Sequence, residues 1–139
     1  HHRTDSGGGE MSREKLIYIA SPFAGDTEAN IAFAKKACRY AIHQGHTPIA
    51  VHLLYPQMLD DNNPEERETG LQLGHRILEV CDELWCCGSR ISSGMAREIT
   101  EAQRLGIPIR QIGEQEIYQE ALPAEMEQHE APGQSMGMA

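Results

Sequence analysis

The sequence predicts an α/β fold, a three-layer α/β/α sandwich whose mainly parallel sheet has a flavodoxin-like (Rossmann-like) strand order. Short apolar runs rich in β-branched residues alternate with segments of helical length, an alternation typical of βαβ units. The runs are apolar on both faces, as expected for strands that helices cover on two sides. Connections of this length form right-handed crossovers. In such sheets a ligand binds beyond the carboxyl ends of the strands, where the strand order reverses.

The first half of the chain predicts two strands joined by a helix. The strands are predicted at residues 16–20 and 47–51. Between them, Asp26 or Thr27 serves as the N-cap of a helix that ends at Gly45. Apolar residues recur at helical spacing along this helix and predict its buried face: Ile31, Ala34, Cys38, Ala41 and Ile42.

The segment between the second and third strands predicts one long helix or a helix pair. Asn63 as cap, followed by Pro64 at the first helical position, is a strong helix start. The helical pattern continues to about Cys81. Gly70 and Gly74 lie four residues apart within it, so they either break the helix or allow a close approach of backbone on one face.

The remaining elements follow the same alternation. The third strand is predicted at residues 83–87, a helix at 93–105 and the fourth strand at 106–112. Asp82 precedes the third strand at its amino end, far from the expected ligand edge, where we predict a structural role as a cap or in a charge pair. Beyond the fourth strand, a few apolar residues can pack as a short helix: Ile117, Tyr118, Ala121 and Leu122.

The length of 139 residues suits one domain with a single hydrophobic core. We interpret residues 1–10 as the remnant of an affinity tag and linker, and residues 11–113 as the domain. Residues 114–139 are predicted to be an acidic C-terminal tail, partly disordered, with residues 132–139 rich in Gly, Ser and Met.

Charge and hydropathy exclude two classes of partner. Much of the formal net charge of −9 lies in residues 113–139, which carry six glutamates and no lysine or arginine. No basic stripe is present, so we expect no nucleic-acid polymer as a partner. No apolar run reaches membrane-spanning length and no signal peptide is evident, so we expect a soluble, cytoplasmic protein without a membrane partner.

The cysteine and histidine patterns predict neither a disulfide nor a metal site. No C-x-x-C pair is present, and we interpret all four cysteines as buried free thiols: Cys38, Cys81, Cys86 and Cys87. The spacing of His43, His46 and His52 fits no zinc pattern, so we expect no metal. A redox role for Cys86 and Cys87 is disfavoured, because adjacent residues of a strand point to opposite faces.

Glu98 is the candidate catalytic residue. It lies about one turn into the helix that follows the third strand, at the edge of the predicted buried face. No lysine or arginine lies three or four residues away, so Glu98 lacks the usual ion-pair partner of a surface glutamate. Its place near the helix N-terminus favours the ionised form, which suits a nucleophile. The alternative is an ordinary solvated helix glutamate.

The turn before that helix is a candidate anion site. Ser92, Ser93 and Gly94 can hold a phosphate or carboxylate through backbone N–H groups and hydroxyls, with Arg90 supplying positive charge. Alternatively, one serine only caps the helix. The two roles are compatible, since one serine can cap while its neighbour binds.

Further polar and aromatic residues lie in or beyond the first two strands. The hydroxyl of Tyr18 requires a buried partner, for which a carboxylate is a good candidate. Ser21, Pro22 and Phe23 follow the first strand at the ligand edge, where Phe23 either stacks on a flat ligand or covers the core. His52 follows the second strand at the same edge.

Two pieces of the chain resemble the nucleoside 2-deoxyribosyltransferases and the related nucleoside 5′-monophosphate N-glycosidases. They are Ile17-Tyr18-Ile19-Ala20-Ser21-Pro22-Phe23 and Ser92-Ser93-Gly94-Met95-Ala96-Arg97-Glu98-Ile99. The resemblance spans most of residues 16–112 and is greatest to a little-characterised bacterial and phage branch. It implies that Glu98 is the nucleophile, that Tyr18 orients it and that Ser92 contacts a 5′-phosphate. The substrate-binding set it suggests also includes Met95.

The resemblance implies cleavage or transfer at the N-glycosidic bond of a (2′-deoxy)nucleoside or nucleoside 5′-monophosphate, through a covalent glycosyl-enzyme intermediate. It implies no cofactor, and a homodimer or larger homo-oligomer in which a neighbouring subunit completes each site. One departure stands out: many relatives have an aspartate in the helix before the third strand, and the nearest equivalent here is Gly74, with His75 adjacent. This departure favours the alternative function, a catalytically inactive nucleotide-binding or sensor domain on the same fold.

Overall fold

The computed structural model describes residues 14–119. Its strands are β1 (Leu16–Ala20), β2 (Thr47–Ile49), β3 (Glu83–Cys87) and β4 (Ile109–Ile112), and its helices are α1 (Thr27–His43), α2 (Pro64–Val80) and α3 (Ser93–Leu105). Two 3-10 turns, Val51–Leu53 and Tyr55–Gln57, separate β2 from α2, and residues 114–119 are helical.

Three predictions lie outside this part of the chain. They are the tag remnant at residues 1–10, the packing of Ala121 and Leu122 in a short helix, and the disorder predicted for residues 132–139. Within residues 14–119, no helix is both long and apolar enough to cross a membrane.

All four strands are parallel and lie in the order β2-β1-β3-β4. The chain runs outwards from β1 to β2 and returns to place β3 on the other side of β1. The predicted flavodoxin-like order is therefore confirmed. The strand order reverses between β1 and β3, so the expected ligand crevice lies beyond their carboxyl ends, where Ser21 and Gly88 follow the strands.

Side chains of the central strands alternate between two hydrophobic clusters, one on each face of the sheet. Ile17, Ile19 and Cys87 pack in the cluster that includes α1 and the buried Ile117. Tyr18 and Cys86 pack in the opposite cluster, against α2 and α3. The three-layer sandwich is confirmed, and Cys86 and Cys87 lie on opposite faces as predicted, both as free thiols.

Where local signals were strong, the element bounds match the predictions. β1, β3 and α3 have the predicted bounds. β2 is shorter than predicted, since it ends at Ile49 and the chain turns into a 3-10 helix at Val51. This turn places Val51 in one hydrophobic cluster and Leu53 against the other. Tertiary packing favours this arrangement, and the local sequence does not predict it.

One prediction about α1 is wrong. Ile42, predicted on its buried face, is 57% exposed, and the buried positions include Ala37 and Tyr40. Of the two possibilities for Gly70 and Gly74, a break is excluded, since α2 is continuous through both glycines. The close approach holds for Gly74, because a Cβ there would lie 3.4 Å from the Tyr18 hydroxyl oxygen.

Asp82 ties the amino ends of β1 and β3 together. Its Oδ2 accepts a hydrogen bond from the backbone N–H of Leu16 at 2.8 Å, and its own N–H donates to the Leu16 carbonyl at 2.7 Å. The structural role predicted for Asp82 is confirmed. The expected ligand site therefore lies at the other, carboxyl ends of β1 and β3.

Gly88 shapes the turn that leaves β3. Its φ is +109°, and a Cβ at this position would lie 3.4 Å from the aromatic ring of Phe33. Gly25 has a similar φ of +100° with nothing within 4 Å of its would-be Cβ. The two glycines therefore share a backbone conformation that would strain any other residue, and they differ in packing.

We expect Gly25→Ala to lower the free energy of unfolding by about 1–3 kcal/mol through backbone strain alone. Gly88→Ala is expected to lose a similar amount, because a Cβ there would make an ordinary van der Waals contact with the Phe33 ring, at 3.4 Å. Urea unfolding of the two variants measures both losses. A loss at Gly88 much larger than the loss at Gly25 would show that the Phe33 ring adds a steric cost at this turn.

Candidate active site

A hydrogen bond joins the two residues predicted to be catalytic. Tyr18 lies in the middle of β1 with its side chain towards α2 and α3, and it is only 2% exposed. Its hydroxyl donates to Glu98 Oε2 at 2.7 Å. Glu98 is half-buried in α3, six residues after the N-cap Ser92. The carboxylate predicted as the partner of the Tyr18 hydroxyl is therefore found.

Burial sets the protonation of both groups. It raises the pKa of Glu98, while the Tyr18 hydrogen bond and the nearby charge of Arg97 lower that pKa without cancelling the rise. This direction is opposite to the one predicted from the helix N-terminus, because removal of water outweighs the other influences. Burial, and then the Glu98 charge, raise the pKa of Tyr18 far above the physiological range. Tyr18 is therefore a permanent hydrogen-bond donor.

Residues that the sequence analysis did not assign to the site lie near this pair. Cys86 lies on β3 and is paired with Ala20 of β1. Burial, and then the Glu98 charge, raise the pKa of its thiol. Cys81 and Tyr55 lie near enough to Tyr18 to influence the pKa of its hydroxyl. Strand alternation alone could have placed Cys86 on this face, but no local signal points to Tyr55.

A second polar pair lies beyond the ends of β1 and β2. Ser21 Oγ and His52 Nε2 are 2.8 Å apart. Burial lowers the pKa of His52 to about 4, so its imidazole is neutral at physiological pH. The ring of Phe23 meets the His52 ring edge-on, with 6.3 Å between the centroids. Pro22 is buried beside them. The structure thus brings together the residues predicted at the ends of these two strands.

The turn before α3 has a structural role that is visible in its hydrogen bonds. Ser92 Oγ accepts a hydrogen bond from the backbone N–H of Met95 at 3.2 Å, so Ser92 caps the helix. This is one of the two roles that the sequence predicts for the serine turn. The Met95 side chain is 1% exposed and packs in the hydrophobic cluster on this face of the sheet, so it anchors the turn to the core. Ser93 and Arg90 are exposed and Gly94 is partly exposed. An anion-binding role for this turn stays a prediction.

His75 does not replace the aspartate that Gly74 lacks. Its Nε2 lies 3.3 Å from Glu79 and its Nδ1 lies 3.1 Å from Glu101, so the ring bridges the outer surfaces of α2 and α3. Within residues 14–119, no three His, Cys, Asp or Glu side chains lie together as a metal ion would require.

The fold is that of the nucleoside 2-deoxyribosyltransferases. The 2-deoxyribosyltransferase of the psychrotolerant bacterium Bacillus psychrosaccharolyticus matches with a TM-score of 0.60 and 21% sequence identity, over 70% of this chain and 72% of that chain. The 2-deoxyribosyltransferase of Leishmania mexicana matches with a TM-score of 0.50 and 17% identity, over 71% of this chain and 64% of that one. At these identities the likeness establishes the fold.

The chain belongs to the family described as Domain of unknown function (DUF7768), whose model matches residues 15–112. Comparison with curated proteins gave no match. The matched residues include both the Tyr18–Glu98 pair and the Ser21–His52 pair.

Replacing Tyr18 with phenylalanine removes the hydroxyl that donates to Glu98 and keeps the ring. Because this hydrogen bond favours the ionised carboxyl group, we expect the pKa of Glu98 to rise further in Tyr18→Phe. A ¹³C NMR titration of the Glu98 carboxyl carbon measures the change.

Tyr118→Phe is the matched control, since Tyr118 is 40% exposed and packs on Phe33 at the opposite face of the sheet. It should leave the titration unchanged. The same Glu98 titration in wild type and Tyr18→Phe would contradict the assigned contact.

Proposed function

We propose that this protein cleaves or transfers the N-glycosidic bond of a (2′-deoxy)nucleoside or nucleoside 5′-monophosphate. The observation that carries the proposal is the Tyr18–Glu98 hydrogen bond of 2.7 Å, which holds a half-buried carboxyl group beside β1 in a 2-deoxyribosyltransferase-like fold. A buried tyrosine that stays protonated can orient a carboxylate without neutralising it.

The chemistry follows the double displacement of retaining glycosidases. The ionised Glu98 attacks C1′ of the sugar, and the bond between C1′ and the base nitrogen breaks with its electron pair passing to the base. The product is an ester between the sugar and Glu98. Water or a second nucleobase then attacks C1′ and releases the carboxylate. This divides one difficult displacement into two easier ones.

The surrounding residues supply binding surfaces for the two ends of such a substrate. The exposed Arg90 and Ser93, with the backbone of Gly94, would hold the 5′ end or its phosphate near the N-terminus of α3. Phe23 would pack on the base. We also propose that the protein acts as a homodimer or larger homo-oligomer in the cytoplasm, with the domain of residues 11–113 carrying the site and no metal or cofactor taking part.

A nucleotide-binding or sensor function on the same fold is the second candidate. Gly74 favours it, because this position of α2 passes close to Tyr18, with 3.4 Å between its would-be Cβ and the tyrosine hydroxyl oxygen, and carries no acidic side chain. A sensor needs the anion-binding turn and a stacking surface. It does not need an ionised Glu98.

Base release separates the two candidates. Wild-type protein is incubated with deoxynucleosides, ribonucleosides and their 5′-monophosphates, with and without an acceptor base, and the products are separated by chromatography. We expect release of free base that Glu98→Gln lowers by on the order of 10³-fold or more. The release should also fall at acidic pH, since the nucleophile must be ionised and burial raises its pKa.

Glu101→Gln is the matched control. Glu101 lies on the same helix one turn further on, where it pairs with His75 and Arg104 at the surface. It should leave base release unchanged. Undiminished release in Glu98→Gln would remove the glutamate from the reaction, and nucleotide binding without release from any substrate would favour the sensor.

A further inference from the structure

The Ser21–His52 pair has features that a purely structural contact does not require. Ser21 is 6% exposed, and within residues 14–119 no other serine, threonine, amide, histidine or charged side chain is as deeply buried. Its hydroxyl contacts His52 Nε2 at 2.8 Å. Both residues follow strands at the ligand edge of the sheet, one after β1 and the other after β2.

The contact determines which imidazole nitrogen carries the hydrogen. A buried hydroxyl group needs an acceptor for its hydrogen. Within the described part of the chain, the partner found for Ser21 Oγ is His52 Nε2. We infer that Ser21 donates this hydrogen bond and that Nε2 accepts it. In a neutral imidazole the hydrogen then lies on Nδ1, which becomes a donor.

The residue before His52 packs in the same hydrophobic cluster as Tyr18. The adjacent Val51 packs where α2 passes Tyr18, since a Cβ at Gly74 would lie 3.8 Å from Val51 Cγ2 and 3.4 Å from the Tyr18 hydroxyl oxygen. Ser21 lies three residues beyond Tyr18 on the same strand and turn. The edge-on contact with Phe23 adds an aromatic surface beside the imidazole.

We propose that His52, held by Ser21 with its hydrogen on Nδ1, donates a hydrogen bond to the departing nucleobase and stays neutral throughout the reaction. The proposal rests on the proposed function. The bond between C1′ and the base breaks as the bond to Glu98 forms, and the electron pair passes to the base. The base leaves as an anion stabilised by the N–H group of His52 and afterwards takes a proton from water.

A neutral imidazole suits this role better than a proton-transferring one. With its pKa lowered to about 4, His52 is almost entirely neutral at pH 7. It therefore carries one ring N–H and not the second proton that a general acid would transfer. A neutral N–H group still stabilises charge that develops in a transition state, as triosephosphate isomerase illustrates. Because Gly74 has no side chain, a hydrogen bond from His52 would give the leaving base a polar contact that position 74 does not offer. Ser21 is a positioning residue that acts through the imidazole.

The tautomer is measured first, in the ligand-free protein. A ¹⁵N correlation spectrum of the His52 ring is expected to show a protonated Nδ1 and an unprotonated Nε2. Ser21→Ala removes the donor and is expected to move the hydrogen partly to Nε2, whereas Ser21→Thr keeps the hydroxyl and should retain the wild-type pattern. A wild-type spectrum with the hydrogen on Nε2 would overturn the proposal.

The second measurement is a series of substrates whose bases differ in leaving-group pKa. We expect His52→Ala to slow release of the poorest leaving base by about 10²-fold and to affect the best leaving base little. His52→Asn, with an amide nitrogen near the position of Nδ1, should recover part of the loss. His43→Ala, at the exposed end of α1, is the control and should follow wild type across the series.

The two proposals fail in different ways. If wild type releases base and His52→Ala slows every substrate equally, or none, the role of His52 is wrong and the glycosidic reaction stands. If wild type releases no base from any substrate, both are overturned.

Discussion

The hydrogen bond from Tyr18 to Glu98 is the interaction on which the site depends. It joins the central strand β1 to α3 across 80 positions of sequence, so it exists only when the sheet and its covering helices are assembled. The cost is a carboxyl group removed from water. Because the folded state raises the pKa of Glu98, the stability that this group contributes is present at acidic pH and is lost as the pH rises through that pKa. The burial that places Glu98 in the candidate site therefore also lowers the stability of the folded protein when Glu98 is ionised.

The packing around Tyr18 explains how this pair is accommodated. Gly74 leaves α2 without a side chain at the point where it passes the tyrosine hydroxyl. Cys86 lies near the Glu98 carboxylate and Cys81 lies near Tyr18, and burial raises the pKa of both thiols so that they stay uncharged. The wall on this side of Glu98 is therefore apolar or neutral. Uncharged surroundings stabilise a neutral ester of Glu98 relative to the charged carboxylate.

Two pairs of side chains use the same strand in different ways. Tyr18 within β1 donates to a carboxylate on α3, and Ser21 just beyond β1 contacts an imidazole on the loop after β2. In each pair a hydroxyl group lies within hydrogen-bonding distance of its partner. The carboxyl edge of a parallel sheet makes this possible, because consecutive strands end together there and deliver residues from distant parts of the chain.

Local signals in the sequence were sufficient to predict much of the fold. The bounds of β1, β3 and α3 follow from short apolar runs and from a serine cap, which act over a few residues. Ile42 and the end of β2 were wrong because burial there depends on which neighbour the chain meets, and periodicity carries no such information.

The site was predictable in its residue types and not in its pairings. The requirement that a buried hydroxyl group find a partner pointed from Tyr18 to a carboxylate, and the resemblance indicated Glu98. The Ser21–His52 contact, the lowered pKa of His52 and the raised pKa of Glu98 all arise from tertiary burial. No spacing along the chain encodes them.

The most direct test of the account is to trap the ester on Glu98. A 2′-fluoro nucleoside slows breakdown of a glycosyl-enzyme intermediate, because fluorine destabilises an oxocarbenium-like transition state. After rapid acid quenching and proteolysis, mass spectrometry should find one added fluorosugar on the peptide that contains Glu98, and none in Glu98→Gln. Base release with the sugar attached to another residue, or to no residue, would contradict the account.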